Sequence, residues 1–312
     1  MPRVGDPHGG GGPDRRRNVS FWAKIAVSAA LLGYQLSAGG LAPVVRAVSS
    51  ADVSWVLVAL ALYIASHVLN AQRWNWYARE FGFAGRASEF MQMYFASLFI
   101  NLFAPGTIAG DVTRGIALGG GERRAAALGS VVAHRLSGMI ALFSLAGVAA
   151  LVQREVPLPA AARLAAWAVP LAGVGALLAA PAAVARIAAR LGRPVALPRA
   201  WASATGRTLV VAAVYHAVQI GSAICLARAV GIDSNASTLA LFVPLVNAAG
   251  MIPVTVSGVG IREAGYVYFL QQVGIPREQS LALGLLGSGL VFAAGLAGAP
   301  AFVRGRSRSA PD

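Results

Sequence analysis

Long apolar runs separated by short basic segments make up most of the chain. Six of these runs are long enough to cross the roughly 30 Å of hydrocarbon in a bilayer. They cover residues 21–41, 53–71, 125–152, 164–185, 208–230 and 279–303. The pattern therefore predicts an all-α polytopic membrane protein with six full spans.

Two further apolar stretches, 90–118 and 239–273, are interrupted by proline and glycine. The first contains FAPGTIAGD and the second contains IPVTVSGVGIRE. Non-helical backbone at membrane depth is tolerated only where protein buries it or water wets it, because unsatisfied N–H and C=O groups are costly in lipid. We therefore predict that each stretch forms a re-entrant helical hairpin beside an internal cavity. Two complete crossings per stretch are the alternative, since they leave every later loop on the same side.

The basic residues predict the orientation in the membrane. If both termini are cytoplasmic and each hairpin returns to its own side, eighteen of the 26 Lys and Arg residues lie inside. Cytoplasmic loops carry such an excess, so we predict a multi-pass protein of the cell membrane. Arg73 and its aromatic neighbours Trp74, Trp76 and Tyr77 are assigned to the cytoplasmic interface.

The ends of the chain are polar. Residues 1–20 are Gly-rich and predicted to be a disordered cytoplasmic segment, and 305–312 a cytoplasmic tail. The run 21–41 also has the charged front and small-residue end of a signal peptide. Its length and the spans that follow favour a membrane anchor instead.

The order of spans and hairpins occurs twice within a single transmembrane domain, 21–304. Residues 21–157 and 158–304 each contain a span, a second span, a hairpin and a third span. Three crossings per half invert the second half relative to the first, and inverted repeats place a substrate site where the interrupted segments meet. The halves share little sequence similarity, so convergence on one hairpin design is an alternative explanation.

The composition excludes several classes of function. Hydrophobic residues make up 57% of the chain, charged residues only 12%, and the mean hydropathy is +0.64, outside the range of soluble domains. The net charge of +14 lies in short clusters between apolar runs, which predicts contact with an anionic leaflet and not with nucleic acid. Cys225 is the single cysteine, and no nucleotide-binding loop occurs, so we expect no disulfide, metal, cofactor or ATP use.

Charged and polar residues at the two interruptions form the predicted binding site. Asp111 is placed to cap the returning helix of the first hairpin, and Arg114 follows three residues later. In the second hairpin the glycines let backbone amides approach a ligand, and Arg262 stands at a helix start that favours anions. Both tips suit a phosphate group. The predicted substrate-binding residues are Asn101, Pro105, Gly106, Gly110, Asp111, Arg114, Arg135, Asn247, Pro253, Gly258, Gly260, Arg262 and Glu263.

Arg135 is a charge near the predicted bilayer centre. It lies about ten residues into a span, and an arginine there costs about 2.5–3.5 kcal/mol on insertion scales. We therefore expect it to contact Asp111, Glu263 or a ligand phosphate. The alternative is purely structural: Arg135, and the pairs Asp111 with Arg114 and Arg262 with Glu263, hold the hairpins closed as ion pairs.

Four ordered motifs resemble those of a known family. RWNWYAREFGF, FINLFAPGTIAGDVTRGIAL, AALGSVVAHRLSGM and IPVTVSGVGIREAGYVYFL resemble the flippase-like membrane domain of lysylphosphatidylglycerol synthase/flippase proteins. The resemblance covers about residues 21–304. It implies a membrane domain with re-entrant helices that moves an anionic or head-group-modified lipid between leaflets.

The resemblance also implies roles for motif residues. The family's P-G-x-x-G-G-D-x-x-R pattern falls on Pro105, Gly106, Ala109, Gly110, Asp111 and Arg114, its R-x-x-G on Arg135 and Gly138, and its G-x-G-x-R-E on Gly258, Gly260, Arg262 and Glu263. Ala109 stands where glycine is usual. The sequence ends soon after the last span, so we do not expect the aminoacyl-transferase domain of two-part members, nor lysyl transfer.

Three functions fit these residues. The first is a translocator, not an enzyme, for an anionic or head-group-modified lipid such as an aminoacylated or glycosylated phospholipid or a polyprenyl-phosphate sugar. The second is an integral-membrane lipid-modifying transferase, which needs Asp111, Glu263 or a histidine as a base. The third is a non-transporting subunit of a cell-envelope synthase, whose partner is that enzyme.

Overall fold

The described part of the chain consists of twelve α-helices. A computed structural model describes residues 13–103, 108–156, 158–190, 201–233, 235–252 and 254–307. The helices are α1 (Pro13–Gly39), α2 (Leu41–Ser49), α3 (Val53–Glu80), α4 (Ala87–Phe103), α5 (Ile108–Leu118), α6 (Arg124–Val152), α7 (Ala160–Arg190), α8 (Trp201–Ala229), α9 (Ala236–Gly250), α10 (Ile261–Gln271), α11 (Arg277–Ala297) and α12 (Ala299–Ser307).

Five helical segments in these ranges are long and apolar enough to cross a membrane. They are Val53–Glu80, Gly121–Val152, Ala160–Ala180, Ala204–Ala229 and Arg277–Gly305, and they match five of the six predicted spans. The multi-pass, all-α membrane architecture is therefore confirmed.

The predicted first span, 21–41, is not one uninterrupted helix. Trp22–Ala38 and Leu41–Ser49 qualify as a candidate span only together, as a pair bent by 95°. Gly40 lies between them with a φ of 77°, a conformation that glycine adopts readily and that cannot continue a helix. The chain therefore turns sharply at the end of α1.

Helix α1 begins earlier than the hydropathy pattern indicates. Its described part starts at Pro13, eight residues before the predicted span. Residues 13–20 are thus helical, although the prediction placed them in a disordered segment. Residues 1–12 and 308–312 lie outside the described residues.

Each interrupted stretch contains two short helices that pack against each other. In the first stretch α4 packs on α5, and the Gly110 N–H donates to Asn101 Oδ1 at 2.8 Å. In the second stretch α9 packs on α10, with Gly265 lying against Val246. None of the four helices is by itself among the candidate spans. Their pairing is that of a helical hairpin.

Corresponding helices of the two halves pack in equivalent ways. Helices α3 and α8, each the second long helix of its half, form the most extensive helix pair. Helix α6 packs on α9, and its counterpart α11 packs on α4. This exchange of equivalent contacts is expected of two structurally similar halves, so it supports the predicted repeat.

The close approach of α4 and α5 yields a test of the first hairpin. A Cβ at Gly110 would clash with the carbonyl oxygen of Ser97 and lie 2.7 Å from Asn101 Oδ1. We expect Gly110→Ala to lower the free energy of unfolding by about 1–3 kcal/mol, as overpacking does. The measurement is thermal unfolding of the purified protein in detergent.

Gly221→Ala, in the interior of α8, is the matched control. A Cβ there meets no atom within 4 Å, and alanine has the higher helix propensity. We expect its melting temperature to equal or exceed that of the wild type. Equal melting temperatures for the two variants would contradict the close α4–α5 contact.

Candidate functional site

A cavity of about 200 Å³ lies between the two interrupted stretches. Its lining includes residues of both halves, among them Asn70 of α3 and Gln219 of α8. Ser257, from the turn before α10, donates from Oγ to the backbone oxygen of Asn101 in α4 at 2.7 Å. The two interrupted stretches thus meet at the wall of one polar space.

The structure brings many of the predicted site residues to this cavity. Its lining includes Asn101, Asp111, Arg114, Arg135, Asn247 and Arg262. Four other predicted residues are described but are not part of the lining: Gly110, Gly258, Gly260 and Glu263. Pro105, Gly106 and Pro253 lie outside the described residues.

One carboxylate binds two guanidinium groups at the centre of the site. Asp111 Oδ1 lies 2.9 Å from Arg114 Nη2, and Asp111 Oδ2 accepts from Arg135 Nη1. Helix α5 begins at Ile108, so Asp111 lies inside its first turn and not at the predicted N-cap. The carboxylate therefore joins α5 to α6 through an ion pair.

Aromatic rings and a histidine hold Arg114 in place. Its guanidinium carbon lies 4.8 Å from the Trp74 ring centre and 5.3 Å from that of Tyr94, within the range of cation–π attraction. Arg114 Nη2 also lies 3.1 Å from His134 Nδ1. Arg73 Nη2 lies 3.1 Å from the other ring nitrogen, Nε2. Arginine can only donate, so a protonated ring, with an N–H on both nitrogens, would face a donor on each side, and the ring is therefore neutral.

Arg73 belongs to the same network, although its predicted place is the cytoplasmic interface. Its side chain is buried and lines the cavity. Arg73 Nη2 donates to the His134 backbone oxygen at 3.1 Å, and Nη1 donates to Ser137 Oγ at 3.4 Å. Trp74 and Tyr77 are also fully buried, so the interfacial assignment is wrong for all three.

A signal for Arg73 is present in the sequence. His67, Asn70 and Arg73 follow one another at intervals of three residues, which places them on one face of a helix. The hydropathy pattern ends the span at 71, whereas α3 continues to Glu80. The three-residue spacing of these polar side chains therefore indicates that Arg73 shares the inward face of the helix with His67 and Asn70.

Arg262 enters the cavity from the second interrupted stretch. Two glycines make room for it, because a Cβ at Gly250 would lie 2.9 Å, and one at Gly258 would lie 3.4 Å, from Arg262 Nε. Gly258 and Gly260 have φ angles of 79° and 89°, which glycine adopts without strain. These glycines shape the turn and let the arginine pack close to α9.

Glu263 is fully buried but lies outside the cavity lining. Its carboxylate accepts from the Gly260 N–H at 2.7 Å and from Ser288 Oγ. These bonds cap the start of α10 and join it to α11. Arg262 thus lines the cavity, whereas its neighbour Glu263 is buried between α10 and α11.

Positive charge exceeds negative charge among the described residues that line the cavity. Four arginines, Arg73, Arg114, Arg135 and Arg262, face one carboxylate, Asp111. Several of their nitrogens are buried without a hydrogen-bond partner in the protein: Arg73 Nε, Arg114 Nε and Nη1, and Arg262 Nε and Nη1. Such donors are costly to bury unsatisfied, and guanidinium groups bind phosphate well. The arrangement suits an anionic ligand.

A second, larger groove of about 850 Å³ adjoins the cavity. It lies between α4, α5 and α12, with Met93, Ile100 and Phe302 among its apolar lining residues. Ser97 and Arg114 line both the groove and the cavity. Arg114 therefore stands at their junction.

Metal ligands do not cluster in the described ranges. They contain no group of three or more His, Cys, Asp or Glu side chains placed to hold a metal ion.

Comparison with protein families complements the geometry of the site. The family model described as the lysylphosphatidylglycerol synthase transmembrane region matches residues 21–298. The chain belongs to this family. The match confirms the resemblance of the four motifs, spans both halves, and indicates a lipid-related, flippase-like role in the membrane. No curated protein matched the chain.

The Asp111 ion pairs yield a test of the network. Asp111→Asn keeps the size of the side chain but leaves Arg114, whose side chain is 2% exposed, without its carboxylate. Removing one partner of a buried pair costs about 3–5 kcal/mol, and the partial exposure of Asp111 favours the lower end. We expect a clear fall in the melting temperature of the purified protein.

Glu122→Gln is the matched control for this charge removal. Glu122 is exposed in the short 3-10 turn before α6, where losing a charge has little effect on stability. We expect its melting temperature to stay at the wild-type value. A melting temperature of Asp111→Asn as high as that of the control would contradict the structural importance of the ion pairs.

Proposed function

We propose that this protein is a translocator that moves an anionic or head-group-modified lipid between the two leaflets. Candidates are an aminoacylated or glycosylated phospholipid or a polyprenyl-phosphate sugar. One observation carries the proposal: the cavity between the interrupted stretches holds an excess of guanidinium groups, several of whose buried nitrogens have no hydrogen-bond partner in the described part of the chain. A lipid phosphate in the cavity supplies both the acceptors and the negative charge that these groups lack.

The adjoining groove accommodates the hydrocarbon chain of the same lipid. Arg114 lines both spaces, so a phosphate bound to it is adjacent to Met93, Ile100 and Phe302 of the groove. An apolar chain in the groove stays out of water while the polar headgroup stays out of hydrocarbon. Separate places for the two parts of a lipid favour a lipid over a soluble anion.

The proposed topology follows the inverted repeat. Both termini are cytoplasmic, the α4–α5 hairpin enters from the cytoplasm, and the α9–α10 hairpin enters from outside. Paired interrupted segments of this kind surround a site near the midplane in transporters that expose it to each side in turn. The Ser257–Asn101 hydrogen bond joins the hairpins where such a site would lie.

A lipid-modifying transferase is less well supported by the contacts of the possible bases. Such an enzyme needs a proton acceptor within reach of its substrate. Asp111 binds two arginines, the ring nitrogens of His134 lie beside Arg114 and Arg73, and Glu263 lies outside the cavity lining. These three groups contact positive charge or cap a helix, so we propose that none of them is a catalytic base.

The topology is testable by cysteine labelling in a Cys225→Ala background. Gly120 lies between α5 and α6, and Asp233 lies between α8 and α9; both are exposed. We expect a membrane-impermeant maleimide to label Gly120→Cys only from the cytoplasmic side and Asp233→Cys only from outside. Labelling of both positions from one side would contradict the inverted arrangement.

Translocation is testable with the Arg135→Ala variant. Arg135 is the partly exposed partner of Asp111, with 28% of its side chain accessible, so its removal takes a cation from the ligand without emptying a packed core. We expect wild-type protein in vesicles to exchange fluorescent phosphatidylglycerol between leaflets, and Arg135→Ala to do so at least about tenfold more slowly. The assay is dithionite quenching of the outer leaflet.

Two controls make the outcome decisive. Arg154→Ala removes an arginine from the exposed segment after α6 and should exchange lipid at the wild-type rate. Mass spectrometry of the recovered lipid should show it unchanged. Chemically altered lipid would favour the transferase, and absence of exchange for every anionic lipid offered to the wild type would overturn the translocator.

A further inference from the structure

The charge balance of the cavity defines the class of headgroup more narrowly, and this inference rests on the proposed function. Among the described lining residues, four arginines against one carboxylate leave three positive charges in excess. His134 does not add to them, because arginine donors lie 3.1 Å from both of its ring nitrogens and the ring is neutral. The ligand must balance this excess in a medium where uncompensated charge is expensive.

A phosphodiester lipid carries too little charge for this site. Its single negative charge leaves two of the three excess positive charges unbalanced. A lipid monophosphate, whose phosphate has a free terminus, carries about −1.5 to −2 near neutral pH. A lipid diphosphate with a free terminus carries one further negative charge on the phosphate next to the lipid. Of the three ligands, only the diphosphate brings the net charge of the cavity close to zero.

The unpartnered donors lie in two centres contributed by different halves. One centre consists of Arg73 and Arg114 around His134, where Arg73 Nε and Arg114 Nε and Nη1 lack a hydrogen-bond partner among the described residues. The other is Arg262, whose Nε and Nη1 also lack one in the described ranges. As whole residues, Arg73 and Arg114 are only 2% and 3% exposed, so water does not satisfy them freely. Two linked phosphates provide one acceptor group for each centre.

We infer that the cavity selects a lipid that ends in a free diphosphate, over phosphodiester phospholipids. Its first and second phosphates bind the two arginine centres, and its apolar chain lies in the groove beside Arg114. The compact volume of the cavity, about 200 Å³, agrees with a small, highly charged group.

Binding to the purified full-length protein in detergent tests the inference. The probes are farnesyl diphosphate, farnesyl monophosphate, short-chain phosphatidylglycerol and inorganic pyrophosphate, measured by microscale thermophoresis. We expect farnesyl diphosphate to bind about tenfold or more tightly than phosphatidylglycerol, with the monophosphate between them. We also expect pyrophosphate to bind more weakly than its farnesyl ester. Equal Kd values for those two would mean that the site takes a free diphosphate and would overturn the lipid assignment.

Variants of Arg262 separate the second centre from the first. Arg262→Gln should reduce the preference for farnesyl diphosphate over phosphatidylglycerol to less than about threefold, and Arg262→Lys, which keeps the charge, should retain most of it. Arg228→Gln is the matched control, because Arg228 stacks on Trp55 and does not line the cavity. It should keep the wild-type preference. If Arg262→Gln does not fold, the Kd values of Arg262→Lys and of the wild type for farnesyl diphosphate and phosphatidylglycerol still test the diphosphate preference.

Failure of this inference is distinguishable from failure of the proposed function. Equal affinity of the wild type for phosphatidylglycerol and farnesyl diphosphate overturns the diphosphate preference, and so does an equal loss of both in Arg262→Gln. Leaflet exchange of phosphatidylglycerol would still support translocation in either case. Conversely, tight diphosphate binding without exchange of any lipid would support the site and reject the translocator.

Discussion

A guanidinium group buried in a membrane protein must find a counter-charge, because its desolvation costs several kcal/mol. Arg114 meets this constraint through Asp111 on its own helix α5 and through contacts with three other helices: His134 on α6, and the rings of Trp74 on α3 and Tyr94 on α4. The position of α5 therefore depends on where this one charge can be satisfied. The packing of the first half and the electrostatics of the cavity are consequences of the same contacts.

The sequence predicts the features that follow from hydrocarbon thickness and from the cost of charge in lipid. Hydrocarbon thickness predicts five of the spans and both interrupted stretches. The cost of charge in lipid predicts the importance of Asp111, Arg114 and Arg135. The sequence does not predict that Arg73 lines the cavity, because it lies near the end of a span, where an interfacial arginine needs no partner. Only the continuation of α3 to Glu80 and the packing of α6 beside it reveal that Arg73 is enclosed.

The separate surroundings of Arg262 and Glu263 show a second limit of sequence analysis. Neighbouring residues on an α-helix point about 100° apart, so only one of the two can face a narrow cavity. Which one does so depends on the rotation of α10 about its axis. That rotation is fixed by Gly260 and Ser288, which bind the Glu263 carboxylate, and by Gly250, which makes room for the arginine. The sequence contains these residues, but it does not show that they contact Glu263 and Arg262.

The same geometry makes the two halves chemically unequal despite their similar packing. In the first half Asp111 and Arg114 are three residues apart, which places them on one helix face and lets them pair. In the second half Arg262 and Glu263 are adjacent, so the acid is directed to the helix start while the arginine lines the cavity. Two hairpins that differ in this spacing yield an arginine balanced by a carboxylate in the first half and an arginine without one in the second. One of the three excess positive charges of the cavity therefore arises from the sequence interval between acid and base, and the other two come from Arg73 on α3 and Arg135 on α6.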